Sequence, residues 1–295
     1  MPYKILKKFK LDKNGTLYEM DIHAPFIAKK SHAGNFIILR INETGERFPL
    51  TIADYDRING TITIVFQVVG KSTTLLSELN MGDKILDVVG PLGNKIEIEK
   101  FEHPIVIIGG GVGIAPCYPQ MKELKEAGNK IIAIIGARTK DMLFWKDKIL
   151  EVSDKLIITT DDGSEGEKAV VTEPLKRILS RKKISRVIAI GPLVMMKYVC
   201  LTTSGIENLP KIETMVSLNT IMVDGTGMCG GCRFVNQTGE TFFACVDGPD
   251  VNGHQVDFDN LMKRARRYEN QEKSAMVLHD HECLRKNKNK DEVLR

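Results

Sequence analysis

The segment "DGTGMCGGCR" (224–233) sets Cys229 and Cys232 two residues apart, and "FFAC" (242–245) adds Cys245. Three thiols at this spacing are three quarters of a metal site. Three candidates compete for the fourth position. His254 would complete a Cys3His zinc site of tolerable spacing. A partner chain could donate a residue. Asp224 would give the pattern D-x4-C-x2-C-x12-C. The choice decides whether the segment is a structural clip or a carrier of electrons, and on the cysteines alone it stays open.

A second constellation is "IVIIGGGVGIAP" (105–116), which reads as a strand, a glycine loop and a helix start. Gly109, Gly110, Gly111 and Gly113, with Val112, Ile114 and Ala115 between and after them, leave backbone amides open to a phosphate. Pro116 suits the first helical turn. A helix N-terminus adds free N–H groups and the positive end of a dipole. The pattern is G-x-G-x-x-P rather than the dinucleotide fingerprint, and alone it could be only a tight connection. Two weaker motifs precede it. "ERFPLTIADYD" (46–56) carries Arg47, by default a surface ion-pair residue. "VVGKSTTLLSEL" (68–79) puts Gly70, Lys71, Ser72 and Thr73 at a helix start, where the hydroxyls serve a phosphate or a plain N-cap. No Ser–His–Asp set and no paired carboxylates demand a catalytic role, and "HDHEC" (279–283) reads as a solvated polar stretch.

The elements that must position these residues follow from periodicity. Residues 1–102 hold short, partly alternating strands, "TLYEMDI", "NFIILRI" and "TITIVFQVV", with Ile62, Ile64, Phe66 and Val68 on one face. Turn signals separate them, which predicts an antiparallel β-barrel. From 103 to 215, "HPIVIIGGG", "NKIIAIIGAR", "DKLIITTDDG" and "SRVIAIGP" are continuous apolar runs. Helical stretches at 115–128, 140–152 and 172–183 alternate with them, so this part is a doubly wound α/β parallel sheet covered on both faces. Residues 216–272 are rich in Gly, Asp and Cys, too few to build much core, and end in an amphipathic helix; a metal staple is expected there. The final stretch, 273–295, is polar enough to be disordered. The cluster segment and the barrel, distant in sequence, are expected to tolerate damage independently.

A chain of 295 residues with net charge +4 is long enough for two domains and an appendage, and does not suggest a nucleic-acid binder. The basic runs "KRARR" and "RKNKNK" read as a solvated helix face and a frayed tail. No signal peptide and no apolar run of membrane-spanning length stand out, so a cytoplasmic location without a membrane role is expected. There the six cysteines are thiols or ligands rather than disulfides, and Cys117, Cys200 and Cys283, scattered singly, read as bystanders.

Taken together, R-x-P-L-T-[IL], then G-x-S/T-T, then G-G-G-x-G-I-A-P resemble the ferredoxin–NADP reductase superfamily. "TDDGSEG" (160–166), "GPLVMMK" (191–197), the 224–233 motif and "FACVDGPDVNGHQVDF" (243–258) narrow the likeness. They resemble the FAD/NAD-binding small subunit shared by sulfide dehydrogenase and the NADH-dependent reduced ferredoxin:NADP oxidoreductase. The dihydroorotate dehydrogenase electron-transfer subunit is a close relative. The resemblance covers residues 1 to about 270 and implies roles residue by residue. Arg47 would meet the FAD pyrophosphate. Pro49, Leu50 and Thr51 would border the isoalloxazine, with Thr51 at the reacting nitrogen. Gly70, Lys71, Ser72 and Thr73 would hold the FAD phosphates. The 109–116 loop, with Gly191 and Pro192, would face NAD(H). Asp161 and Asp162 would grip the adenosine ribose, a carboxylate there accepting from a 2′-hydroxyl and repelling a 2′-phosphate; NADH is therefore favoured over NADPH.

The same resemblance resolves the fourth ligand. Plant-type [2Fe–2S] proteins carry C-x4-C-x2-C with a later cysteine, and Asp224 stands at the first cysteine's place. Dihydroorotate relatives keep a cysteine there; the sulfide dehydrogenase type carries aspartate. The implied site is a [2Fe–2S] cluster on Asp224, Cys229, Cys232 and Cys245. The flavin performs the hydride chemistry and the protein positions it, which accounts for the missing acid–base set. The implied protein is an electron-transfer oxidoreductase subunit of a heterodimer. Its partner is a larger flavoprotein with [4Fe–4S] clusters, it reaches ferredoxin indirectly, and bifurcation at the FAD is compatible with it. The alternatives are a dihydroorotate dehydrogenase electron-transfer subunit and a non-catalytic, zinc-stapled nucleotide-binding module.

Overall fold

The computed structural model describes residues 3–206 and 209–279. Eight strands open the chain: β1 (Tyr3–Lys10), β2 (Leu17–His23), β3 (Phe36–Arg40), β4 (Phe48–Thr51), β5 (Asp54–Asp56), β6 (Thr61–Gln67), β7 (Lys84–Ile85) and β8 (Asp87–Leu92). Helices α1 (Pro25–Lys30) and α2 (Lys71–Glu78) lie between them. The strands pair antiparallel in two sheets, β5-β6-β2-β1-β7 and β4-β3-β8, around one apolar core. Strand β6 shows why the alternation was legible: Ile62, Ile64 and Phe66 are buried in that core. Its opposite face is buried too, because Val65 packs into the apolar layer of the next domain.

The second unit runs β9 (Ile105–Gly110), α3 (Ile114–Glu126), β10 (Ile131–Ala137), α4 (Lys146–Glu151), β11 (Lys155–Thr160), β12 (Glu167–Lys168), α5 (Thr172–Leu179), β13 (Arg186–Ile190), α6 (Leu193–Thr202) and β14 (Thr214–Ser217). These strands form a parallel sheet in the order β12-β11-β10-β9-β13-β14. Every residue of β9 is buried, the signature of a strand covered on both faces. The stretch 140–152, expected as one helix, is a 3-10 turn at Lys140–Met142 followed by α4. Trp145 between them sits at φ 54, and its indole N–H donates to the Glu19 carboxylate of β2 at 2.8 Å. A contact across the domain boundary overrides local helix preference. Helix α3 is tied to the barrel in the same way: Glu123 accepts from the Ala33 amide at 2.8 Å and from the Tyr55 hydroxyl.

The cysteine segment contributes a hairpin, β15 (Arg233–Val235) with β16 (Thr241–Phe243), then β17 (Asp250–Asn252) and α7 (Phe258–Ala265). It builds no core of its own. Strand β14 runs through residues 215 and 216, and β17 extends the parallel sheet by pairing antiparallel with it. Cys232, Phe234, Ala244 and Cys245 share one apolar cluster with Val187 and Val216 of the sheet and Phe36 and Ile38 of the barrel. The expected independence of segment and barrel is therefore corrected: a side chain at Gly225 would meet Leu92 at 2.6 Å and Ile38 at 3.2 Å. The expected tail is corrected in part, because residues 269–279 are helical, braced by the Glu269–Lys273 pair at 2.8 Å. Residues 280–283 of "HDHEC", Cys283 among them, and the basic run 285–290 lie outside the described residues. Among the described residues no helix is long and apolar enough to cross a membrane.

Candidate functional site

The sheet changes direction of growth between β9 and β13, with β10 on one side and β14 on the other. Ligands of open parallel sheets bind outside the carboxyl ends of the strands at such a point. A cleft of about 1280 Å3 opens there, between the sheet and the barrel. Pro49, Leu50 and Thr51 of β4 form its barrel side, with Thr73 of α2. Gly110, Gly111, Val112, Gly113, Ala115 and Pro116 form its floor, and Gly191 and Pro192 after β13 complete it. Two motifs about 60 residues apart in sequence thus meet across one space.

The glycines of the loop divide by purpose. A Cβ at Gly113 would lie 2.2 Å from the Ile190 carbonyl oxygen, and one at Gly110 would lie 2.3 Å from Met195 Sδ. At Gly109 the neighbour is Ile114 Cα, at 2.9 Å. Backbone neighbours demand glycine at Gly113 and Gly109, whereas at Gly110 the contact is the flexible end of Met195. Gly111 alone has φ 56, and a methyl there would find nothing within 4 Å, so it is the glycine that keeps the cleft open. Gly109 and Ile114 themselves lie behind the loop and do not line the cleft; Ile114 is fully buried.

Arg47, Gly70, Lys71 and Ser72 stand outside the lining, yet the fold brings them together. Ser72 donates its hydroxyl to Glu46 at 2.7 Å, which ties the start of α2 to the exposed Arg47 ahead of β4. The Thr73 hydroxyl is a cap: it accepts from the Val69 amide at 3.0 Å and the Gly70 amide at 3.1 Å. Asp161 is exposed on the cleft rim. Asp162 is occupied elsewhere, accepting from the Ser164 hydroxyl at 2.6 Å and amide at 2.9 Å, and these bonds hold its carboxyl below the usual range. Several lining residues carried no motif: Arg138 just after β10, Tyr198 on α6, Ser217 at the end of β14, and Asn219, Thr220 and Met222 beyond it. Arg138 had a findable signal, since it follows a parallel strand as Asp161 does.

In the cysteine segment the ligand candidates stand as two pairs. Cys232 and Cys245 are buried with their sulfurs 3.2 Å apart. Burial, with Cys232 alongside, pushes the Cys245 thiol up to about 12. A coordinated cation is what removes protons from such thiols. Asp224 forms the other pair with the exposed Cys229: its carboxylate accepts from the Thr226 amide at 2.8 Å and the Cys229 amide at 2.5 Å. These amides hold the Asp224 carboxyl ionised below its ordinary range. The Gly231 amide donates to Cys229 Sγ at 3.4 Å. The loop can turn amides inward because Gly225, Gly227 and Gly230 take φ of 72, 86 and 64. Among the described residues no three His, Cys, Asp or Glu side chains converge on one point. Two ligands per iron is the arrangement a two-iron cluster takes, and the donor set fits it. His254 is engaged elsewhere, its Nε2 lying 2.8 Å from the Ile212 carbonyl. Cys117 and Cys200 are buried thiols, pushed up by burial.

Comparison with known proteins bears on both halves of this geometry. Residues 219–257 match the iron–sulfur cluster binding domain of dihydroorotate dehydrogenase B, and residues 107–201 match the oxidoreductase NAD-binding domain. The dihydroorotate dehydrogenase B (NAD+) electron transfer subunit homolog of Thermotoga maritima is 47% identical over 270 residues, 92% of this chain and 93% of that one. The corresponding electron transfer subunit of Fusobacterium nucleatum is 29% identical over 82% of this chain and 93% of its own length. A chain in the solved structure of the NADH-dependent reduced ferredoxin–NADP oxidoreductase superposes with a TM-score of 0.86 at 45% identity, covering 93% of this chain and 96% of that one. Phthalate dioxygenase reductase, at 15% identity and a TM-score of 0.56, shares the fold.

Proposed function

Because the chain belongs to the family of dihydroorotate dehydrogenase B electron-transfer subunits, we propose that its own assignment within that family is the small subunit of a ferredoxin:NADP oxidoreductase. It is an oxidoreductase subunit that carries electrons between NAD(H), FAD and a [2Fe–2S] cluster. When bound, the flavin supplies the exchange between two-electron hydride chemistry and the single-electron steps of the cluster. The chain's residues bind and orient these groups. Pro49, Leu50 and Thr51 would border the flavin ring, and Arg47 with Gly70, Lys71, Ser72 and Thr73 would receive its phosphates. The loop from Gly109 to Pro116, with Gly191 and Pro192, offers backbone amides and a helix N-terminus to the pyridine nucleotide. Asp161 faces its ribose. Asp224, Cys229, Cys232 and Cys245 would hold the cluster. The packing of Gly225 against Leu92 and Ile38 seats this segment directly on the flavin domain.

The observation that carries the finer assignment is Asp224. A carboxylate, clamped by the amides of Thr226 and Cys229, occupies the place where the dihydroorotate relatives keep a thiolate. The partner is then a larger flavoprotein with [4Fe–4S] clusters, in the cytoplasm, where thiol ligands persist. Anaerobic purification from the native source tests this. Co-elution of a large iron-rich flavoprotein, with NADPH-dependent ferredoxin reduction that requires NAD+, is the expected result. Co-elution with a dihydroorotate-oxidising subunit would replace it by the other branch of the family.

A further inference from the structure

Behind the cleft wall, two buried side-chain oxygens have no hydrogen-bond partner: Gln120 Oε1 and Asp250 Oδ2. They belong to one joint. Gln120, on α3 just beyond the glycine loop, donates Nε2 to Asp250 Oδ1 at 3.0 Å. Asp250 lies on β17 opposite Ser217, a cleft-lining residue of β14. Its Oδ2 sits 2.9 Å from where a side chain at Gly34 of the barrel would begin. The joint thus touches the nucleotide-loop helix, the cleft wall and the barrel at once. The groups facing the carboxyl are Gln120 and Cys117 from α3, Ser217 from β14 and Gly34 from the barrel; none of them carries a charge, and the Gln120 amide and the Ser217 hydroxyl favour the ionised form without outweighing burial.

An ionised carboxylate offers acceptors only, and the free half of the Gln120 amide is an acceptor as well. Leaving both buried and unmatched is costly. A proton on the carboxyl supplies the missing donor, and a carboxylic acid with a primary amide then closes a ring of two hydrogen bonds, N–H to Oδ1 and O–H to Oε1. We propose that Asp250 holds its proton well above the pH at which an exposed carboxyl loses it. As a neutral acid paired with Gln120, it is a positioning residue that locks the glycine-loop helix to the cleft wall. Burial, the dominant influence on this carboxyl, acts in the same direction and pushes it up to about 6. Release of the proton to solvent leaves one bond of the pair and an anion facing the Gln120 oxygen. Helix α3 then loses part of its hold on the strand of Ser217, and nucleotide binding weakens as pH rises. This last step rests on the proposed nucleotide site; the protonation does not.

The test uses the loaded protein. Infrared difference spectra of wild type against Asp250→Asn, across pH, should show the carbonyl stretch of a protonated carboxyl in wild type only, lost with a midpoint near or above 6. No such band, or a midpoint in the ordinary carboxylate range of about 4, overturns the proposal. Should Asp250→Asn fail to accumulate, Gln120→Leu serves, since removing the amide partner should move the same band to the frequency of an unpaired carboxyl, and an unmoved band would refute the pairing. NADH affinity should fall by about tenfold through the midpoint in wild type, the worth of one buried hydrogen bond. It should stay flat in Asp250→Asn, whose amide keeps a donor at every pH. A flat wild-type profile, or the same slope in the variant, removes the positioning role. If NADH binds at no pH, the nucleotide assignment fails, and the infrared band decides the protonation by itself.

Discussion

Substituting alanine separately at Gly113 and Gly111 should separate packing from ligand space within one loop. At Gly113 the new Cβ would sit 2.2 Å from the Ile190 oxygen, 2.6 Å from its carbonyl carbon and 2.8 Å from Gly191 Cα. All three neighbours are backbone, held in register by the β9–β13 pairing, so none can swing aside. Ordinary contact begins near 3.4 Å, and the loop must therefore lift by more than an ångström off β13. Overpacking of a close-packed interior costs typically about 1–3 kcal/mol, and a clash between two backbones belongs at or above the top, about 3 kcal/mol. For a domain of this size that lowers Tm by roughly 6–12 °C. At Gly111 the methyl meets nothing within 4 Å, and the cost is the left-handed backbone at φ 56 alone, on the order of 1–2 kcal/mol. That methyl, however, stands in the cleft. Thermal scans followed by flavin release, with stopped-flow bleaching of the flavin by NADH, distinguish the two. Gly113→Ala should be the less stable variant; Gly111→Ala should lose only the smaller backbone term, about 1–2 kcal/mol, yet bind NADH at least about tenfold more weakly. A stable Gly113→Ala, or a Gly111→Ala with unchanged NADH affinity, would refute the division of roles.

Three further outcomes are expected. Asp161→Asn should narrow the preference for NADH over NADPH by roughly tenfold, through loss of charge repulsion, whereas Asp162→Asn should barely change it, because that carboxylate is committed to Ser164; equal effects in a nucleotide-reduction assay would contradict this. Arg47→Ala should loosen FAD by about 1.5–3 kcal/mol, the worth of a hydrogen bond to a charged group, read as flavin retained on gel filtration; full retention with unchanged affinity removes Arg47 from the site. Asp250 should also mark the stability profile. Its carboxyl rises from 3.8 to about 6 on folding, so the folded chain binds the proton more tightly than the unfolded one. That contribution is complete below 3.8 and lost as pH rises through 6, a swing of about 3 kcal/mol at most. Denaturation of wild type and Asp250→Asn at several pH values should diverge over that window, and parallel curves would deny the shift.

What was legible in the sequence was whatever rests on local chemistry. The alternation of Ile62, Ile64 and Phe66, the continuous apolar strand at Ile105–Gly110 and the cysteine spacing each follow from nearest-neighbour geometry. The glycine loop was legible as a turn, and it lines the cleft, but its glycines do not act as a group: only the packing on Ile190 and Ile114 tells Gly113 and Gly109 from Gly111. Asp162 looked equivalent to its neighbour until its own turn captured it. Trp145, whose bond to Glu19 breaks a helix, and the Gln120–Asp250 joint, whose partners lie 130 residues apart, depend on contacts between domains. No sequence period carries those. The cleft wall from Ser217 to Met222 was missed for the same reason: it is an irregular segment placed by the pairing of β14 with β17.

Electron passage from NADH to a cluster held by Asp224 and three cysteines is tested most directly by EPR with iron and sulfide analysis on the NADH-treated protein, wild type beside Asp224→Ala. Wild type should bleach its flavin and develop the signal of a reduced [2Fe–2S] centre, with two irons and two sulfides per chain. Asp224→Ala keeps Gly225 and its seat on the barrel, so it should still bleach with NADH while its cluster is lost or depleted, and His254→Ala should retain the full signal. Stoichiometric zinc in place of iron, or an intact cluster in Asp224→Ala, would contradict the account.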